Sequence, residues 1–260
     1  MSLTFSMFFS ARLLGFAMLI QAVEFIYLSR QVRFQTVWSY RNLHADLVRG
    51  LPLKANWIAW LFSETLFRTT LIIQIVTASL CLIYPHISFL VILFFTHLFI
   101  CIRFRGNFNG GSDMMTFVVL TGLFIAFLGQ TKLGLIYIAI HTLYSYFKAG
   151  IAKARFKEWW TGKALPVFLR RSQFLDIHQF GDWLEKHRSL QKFLGTSTIL
   201  FEIAAFLLIF FPTFATIYFA LALAFHATIY FVFGLNRFFW IWISAWPATL
   251  YSVQLLARSY

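Results

Sequence analysis

The sequence predicts an all-α fold, a multipass helical membrane bundle of about eight spans with an amphipathic interfacial segment. Three observations carry that expectation. Hydrophobic residues make up 60% of the 260-residue chain and charged residues only 12%, against about 25% charged in a soluble domain. Apolar runs long enough for a membrane-crossing helix recur from one end of the chain to the other. The Lys and Arg residues gather between those runs, where orientation signals and headgroup contacts belong.

Spans are expected at 8–28, 63–84, 87–104, 113–129, 132–150, 194–211, 213–234 and 238–257, because a helix rises about 1.5 Å per residue and must cross about 30 Å of hydrocarbon. Pro85, Pro212 and the stretch from Gly129 to Gly134 punctuate consecutive spans as turns. The first run, Phe8 to Leu28, contains Arg12 and Glu24 and lacks a small-residue cleavage site, so it reads as a retained helix. No low-complexity linker interrupts the chain, and residues 1–260 read as one membrane domain.

Two segments stay outside the spans, 29–56 and 151–193, and they hold most of the cations. A turn at Arg103–Arg105 and Arg237 add to the same side. The positive-inside rule then expects these segments in the cytoplasm and both termini outside. The net charge of +13 is read in this way, with the lipid bilayer as partner and no nucleic acid. Residues 151–193 mix Trp159, Trp160, Phe168, Phe174 and Trp183 with Lys163, Arg170, Arg171 and Lys186. That mixture suits helices lying in the headgroup layer, or a cap over the bundle.

Ionisable groups inside apolar runs are costly, and they usually face a bundle interior or an aqueous cavity. Here they are Arg12, Glu24, Glu64, Arg68, Lys153 and Glu202, with Asp113 at a span start and the histidines His97, His141 and His226. Glu64 and Arg68 are four residues apart, share a helix face and are expected to pair. Glu202 has no local cation, so it must find a distant partner, be protonated or face water. His226 is either an interhelical hydrogen-bond donor or a site residue. Lys153 is either a snorkelling anchor at a helix end or a reactive group at the edge of a cavity. The two cysteines, Cys81 and Cys101, suggest neither a disulfide framework nor a zinc site, and the spacing of His97 and His141 gives metal ligation no support. No HExxH, CxxC, P-loop or GxSxG motif is present. No internal inverted repeat marks a transporter.

The stretch YFKAGIAKARFKEWWTGKAL, residues 146–165, resembles the pattern Tyr-Phe-x-x-Gly-x-x-Lys, then Trp, then Gly before a further helix. Next come an acid-bearing apolar helix, STILFEIAAFLLIFF, and the His-bearing AFHATIYFVFGLNRFFWIWISAWPATLY, with NFNGGSDMM upstream as a short polar turn. In order and spacing these resemble the vitamin K-dependent gamma-carboxylase and its bacterial relatives, the horizontally transferred transmembrane domain family. The resemblance covers most of the chain, chiefly residues 107–250. It implies Lys153 as catalytic base, His226 as a histidine near it and Glu202 as an acidic site position. It also implies a reduced quinone as cofactor. In that family a lysine amine takes a proton from the quinol, oxygen adds, and the strong base so formed abstracts a proton from substrate. The lysine must be neutral to do so, a form favoured by apolar surroundings and by the neighbouring charges of Lys148, Arg155 and Lys157. The turn here, Asn109 to Asp113, lacks the histidine that the carboxylase carries there.

Two functional classes stay open. One is a membrane enzyme, an oxidoreductase or lyase using a quinone or another lipid-soluble substrate. The other is a non-catalytic subunit that binds a partner protein or assists maturation of a secreted peptide. A site would require Glu202 and His226 to face one interior cavity within reach of Lys153.

Overall fold

A computed structural model describes residues 1–31, 36, 38–104, 111–172 and 174–257. The described residues are mostly helical, with no strand among them. Long helices are α1 (Leu3–Ser29), α4 (Glu64–Ile83), α5 (Ile87–Phe104), α6 (Gly111–Phe127), α7 (Thr131–Ala154), α11 (Arg188–Ala204), α12 (Ala215–Phe233) and α13 (Asn236–Ala257). Shorter ones are α2 (Tyr40–Gly50), α3 (Ala55–Leu61), α8 (Lys157–Trp160), α9 (Ala164–Leu169) and α10 (Leu175–Lys186). Five helical stretches are long and apolar enough to cross a membrane: Leu3–Ser29, Glu64–Ile83, Ile87–Phe104, Arg188–Ile209 and Pro212–Phe233.

Local signals set the boundaries. Ser2 and Ser63 cap α1 and α4, their hydroxyls accepting from Phe5 N at 3.2 Å and Leu66 N at 3.3 Å. Gly129, at φ +94°, closes the turn between α6 and α7. The helix carrying Glu202 begins at Arg188, earlier than residue 194, and turns from α to 3-10 geometry at Ala205. Residues 155–193 are therefore largely helical, and the end of that segment belongs to α11.

Helix α1 packs on α4 and α13, and α7 packs on α6, α11 and α13. Close approach of α6 and α7 depends on a pair of glycines. A Cβ added at Gly134 would lie 2.2 Å from the Gly122 carbonyl oxygen, so only hydrogen fits there. The outward faces stay apolar: Ile72, Val76 and Ile83 on α4 and Ile217 and Leu221 on α12 are exposed. Those surfaces suit lipid rather than water, and the helices satisfy their own backbone polar groups. The chain therefore has the character of an integral membrane protein.

Ion pairs gather several helix ends on one side of the bundle. Arg237 at the start of α13 lies 3.7 Å from Glu24 near the end of α1 and 3.9 Å from Asp113 at the start of α6. Two sequence expectations are corrected here. Glu64 pairs with Arg103 at 2.7 Å, across to α5, rather than with Arg68. Arg68 projects outward from α4, whereas the end of α5 delivers a guanidinium to the start of α4. Arg103, expected in a turn with Arg105, belongs to the last turn of α5. It is fully buried, also donates to the Phe62 carbonyl, and lies 4.4 Å over the Phe67 ring. Arg33, Arg105 and the first part of the polar turn, 107–110, lie outside the described residues.

Candidate functional site

Helix α7 presents Tyr146, Gly150 and Lys153 at i, i+4 and i+7, one face of the helix. Gly150 lets α11 approach that face. A Cβ there would lie 2.8 Å from Ile203 Cγ1 and 3.0 Å from Glu202 Cβ. With the two backbones this close, Lys153 reaches across one turn further along. Its Nζ donates to Glu202 Oε1 and Oε2, both at 2.7 Å. The Glu202 side chain is 6% exposed and that of Lys153 22%. The ammonium also stands 5.3 Å from the Trp159 ring of α8. Glu202 thus finds its cation 49 residues away, and the ammonium of Lys153 meets a carboxylate of the neighbouring helix.

His226 lies in the middle of α12 and is buried. Its Nδ1 is 3.0 Å from the Ala222 carbonyl oxygen, so Nδ1 carries the hydrogen and Nε2 keeps a lone pair. The Tyr146 hydroxyl lies 3.4 Å from that Nε2 and can donate to it. Phe238 stacks on the imidazole at 5.2 Å with 5° between planes, and Trp242 packs edge-on to Tyr146 at 4.7 Å.

These groups share one cavity of about 970 Å³. Lys153, Glu202 and His226 all line it, with Tyr146, Trp242 and Phe238 along the aromatic wall. Trp159, Leu165, Phe168 and Arg171 bring in the segment between α7 and α11 as a further wall. The buried indole N–H of Trp242 has no hydrogen-bond partner among the described residues. A chamber lined mainly by apolar and aromatic side chains with several polar groups among them is the usual form of a small-molecule site.

The arrangement can hold a flat apolar molecule against the aromatic wall. It offers that molecule a lysine–glutamate pair joined at both carboxylate oxygens. Lys153, Glu202 and His226 were each legible as unusual residues in the sequence. Tyr146 and Trp242 carried a weaker signal, since aromatic residues make up 20% of this chain. His141 also lines the cavity, whereas His97 does not. Comparison with protein-family models, curated proteins and solved structures finds no match to this chain.

Proposed function

We propose that this chain is an eight-span membrane enzyme resembling the gamma-carboxylase membrane domain, in which Lys153 serves as base toward a lipid-soluble substrate or a reduced quinone held in the aromatic cavity. The observation that carries this reading is the convergence of Lys153, Glu202 and His226, from three different helices, on one cavity. Eight spans follow if α6, α7 and α13 join the five long apolar helices. At about 1.5 Å per residue, the 24 residues of α7 and the 22 of α13 reach about 36 and 33 Å, enough for the hydrocarbon. The 17-residue α6 would cross only about 26 Å and needs its flanks or a thinned bilayer.

In this reading Glu202 accepts the ammonium proton and leaves Lys153 as a neutral amine facing the cavity. A quinol would supply the oxidisable ring. Tyr146, Phe238 and Trp242 would orient its plane. Tyr146 and His226 form a second proton-carrying pair deeper among the aromatics.

One observation favours the alternative, a non-catalytic subunit that binds a partner protein. The ammonium of Lys153 already has a two-pronged carboxylate partner, which is how a structural charge is ordinarily tolerated in a bundle. Purification of the native protein in mild detergent, with mass spectrometry of what remains bound, separates the two. A stoichiometric isoprenoid quinone or comparable lipid-soluble aromatic supports the enzyme. A second polypeptide with no small molecule supports the subunit and removes the enzyme reading.

A further inference from the structure

Away from the cavity lining, His97 and Cys101 stand four residues apart on one face of α5, opposite Asp113 at the start of α6. One nitrogen, one sulfur and one carboxylate oxygen from these three residues all lie within 4.8 Å of one another. His97 Nε2 is 3.5 Å from Cys101 Sγ, 4.0 Å from Asp113 Oδ1 and 3.2 Å from the Asp113 carbonyl oxygen. A tetrahedral zinc ion with bonds of about 2.0–2.3 Å separates its ligand atoms by about 3.3–3.8 Å, and these contacts bracket that range.

A chain of hydrogen bonds fixes which ring nitrogen of His97 is available. Gln74 Nε2 donates to the Met18 carbonyl at 3.0 Å, which sets that amide's orientation. The same Nε2 donates to Gln21 Oε1 at 3.0 Å, so Gln21 presents an oxygen to His97. His97 Nδ1 lies 3.3 Å from that oxygen and must carry the hydrogen. The neutral ring therefore turns the Nε2 lone pair toward two oxygens of Asp113, at 3.2 and 4.0 Å. Without a metal, the Cys101 thiol at 3.5 Å can donate its S–H to that lone pair; a cation between Nε2 and the Asp113 oxygens would replace that proton and relieve the facing lone pairs. A histidine whose second nitrogen is held by a side-chain oxygen is also the standard supporting arrangement of a metal ligand.

We propose that His97 Nε2, Cys101 Sγ and Asp113 form a zinc site that clamps α5 to α6, with the Asp113 carbonyl oxygen as the nearest fourth donor. The thiolate and the carboxylate together neutralise Zn2+. Arg237, 3.9 Å from Asp113, has Glu24 as a second carboxylate at 3.7 Å, so the ion does not leave it without a counter-charge. A thiolate–imidazole–carboxylate set suits zinc and disfavours magnesium and calcium, which take oxygen ligands. The site is independent of the proposed chemistry at Lys153.

The test uses the full chain in detergent, purified through a histidine-free tag without chelator, then equilibrated with Zn2+ or Co2+ and desalted. About one metal ion per chain is expected, with a thiolate-to-cobalt charge-transfer band in the Co2+ form. Cys101→Ser should cut metal content about tenfold, while Cys81→Ser, at the other cysteine, leaves it unchanged. A second measurement needs no variant. Zn2+ should slow maleimide labelling of Cys101 about tenfold, read from the modified peptide, and a chelator should restore it. Metal content below about a tenth of an ion per chain, or labelling of Cys101 indifferent to Zn2+, overturns the site.

Discussion

Lys153 Nζ sits 2.7 Å from both carboxylate oxygens of Glu202, a contact between the end of α7 and the end of α11 that depends on the absence of a side chain at Gly150. The pair is more than a helix-end decoration. It joins the wall of the cavity to the bundle, and its carboxylate is almost entirely out of water.

Removing one charge of this pair strands the other. Glu202→Gln should destabilise the protein by about 1–3 kcal/mol, since the ammonium loses an ionised partner while keeping a little solvent. Lys153→Gln with Glu202→Gln should recover most of that loss, because two neutral amides can hydrogen-bond each other. Thermal or denaturant unfolding of the four members of this cycle gives the coupling energy. Additive losses would show that the contact contributes nothing to stability.

The cation at Glu64 is a separate test of how charges are arranged. Arg103 is fully buried and Glu64 is its counter-ion. Arg103→Ala should cost about 3–5 kcal/mol, combining the lost pair with the packing of the guanidinium on Phe67. Arg68→Ala should stay within about 0.5 kcal/mol, as an exposed substitution does. The reverse order would restore the pairing of Glu64 with Arg68.

These two charge pairs mark what could be read from the residues alone. Helix positions were legible because apolar runs of membrane length alternate with Pro, Gly and clusters of cations. The unusual polar residues were legible because a lysine, a glutamate or a histidine in such a run stands out. Their partners were not. Glu202 meets Lys153 across 49 positions, and Arg103 meets Glu64 across 39. Periodicity within one helix says nothing about which neighbour packs against it. Arg103 follows the same rule: a basic residue at the end of an apolar run reads as part of a turn until the facing helix supplies a carboxylate and a ring. The cluster of His97, Cys101 and Asp113 escaped the sequence reading in the same way, because Asp113 comes from the following helix.

Gly150 is expected to be intolerant of size. A Cβ would meet Ile203 Cγ1 at 2.8 Å and Ile203 N at 2.9 Å. The side chain can turn away, but the backbone nitrogen cannot, so α7 and α11 must separate. Gly150→Ala should destabilise by about 1–3 kcal/mol, and Gly150→Leu by more. Both should lower function beyond the loss of folded protein, because separating the helices pulls Lys153 from Glu202. Unchanged unfolding in Gly150→Ala would mean that the helices are not this close.

The Tyr146 hydroxyl is expected to matter less for stability than its burial suggests. It lies 3.4 Å from His226 Nε2, a long hydrogen bond, and the ring itself packs against Trp242 and Tyr218. Tyr146→Phe keeps that packing and should cost about 0.5–1.5 kcal/mol. Tyr146→Ala opens a hole among the aromatics and should cost about 3–5 kcal/mol. Equal costs for the two would assign the stabilisation to the hydroxyl instead of the ring.

Lys153→Arg decides between a base and a structural cation. An arginine at 153 can still pair with Glu202, and its planar guanidinium matches a carboxylate at two points. It can still lie against Trp159. The fold should therefore survive, with expression and melting temperature close to wild type. What arginine cannot do is give up its proton, since its side chain stays charged at any pH a protein tolerates. If Lys153 works by becoming a neutral amine, the variant should lose activity by a factor of about 100 or more, the range of a removed general base. Lys153→Met would be a poorer test, because it also strands Glu202. The measurement is turnover of whatever lipid-soluble substrate co-purifies, at matched levels of folded protein. Wild-type turnover in Lys153→Arg would leave Lys153 as the counter-ion of Glu202 and nothing more.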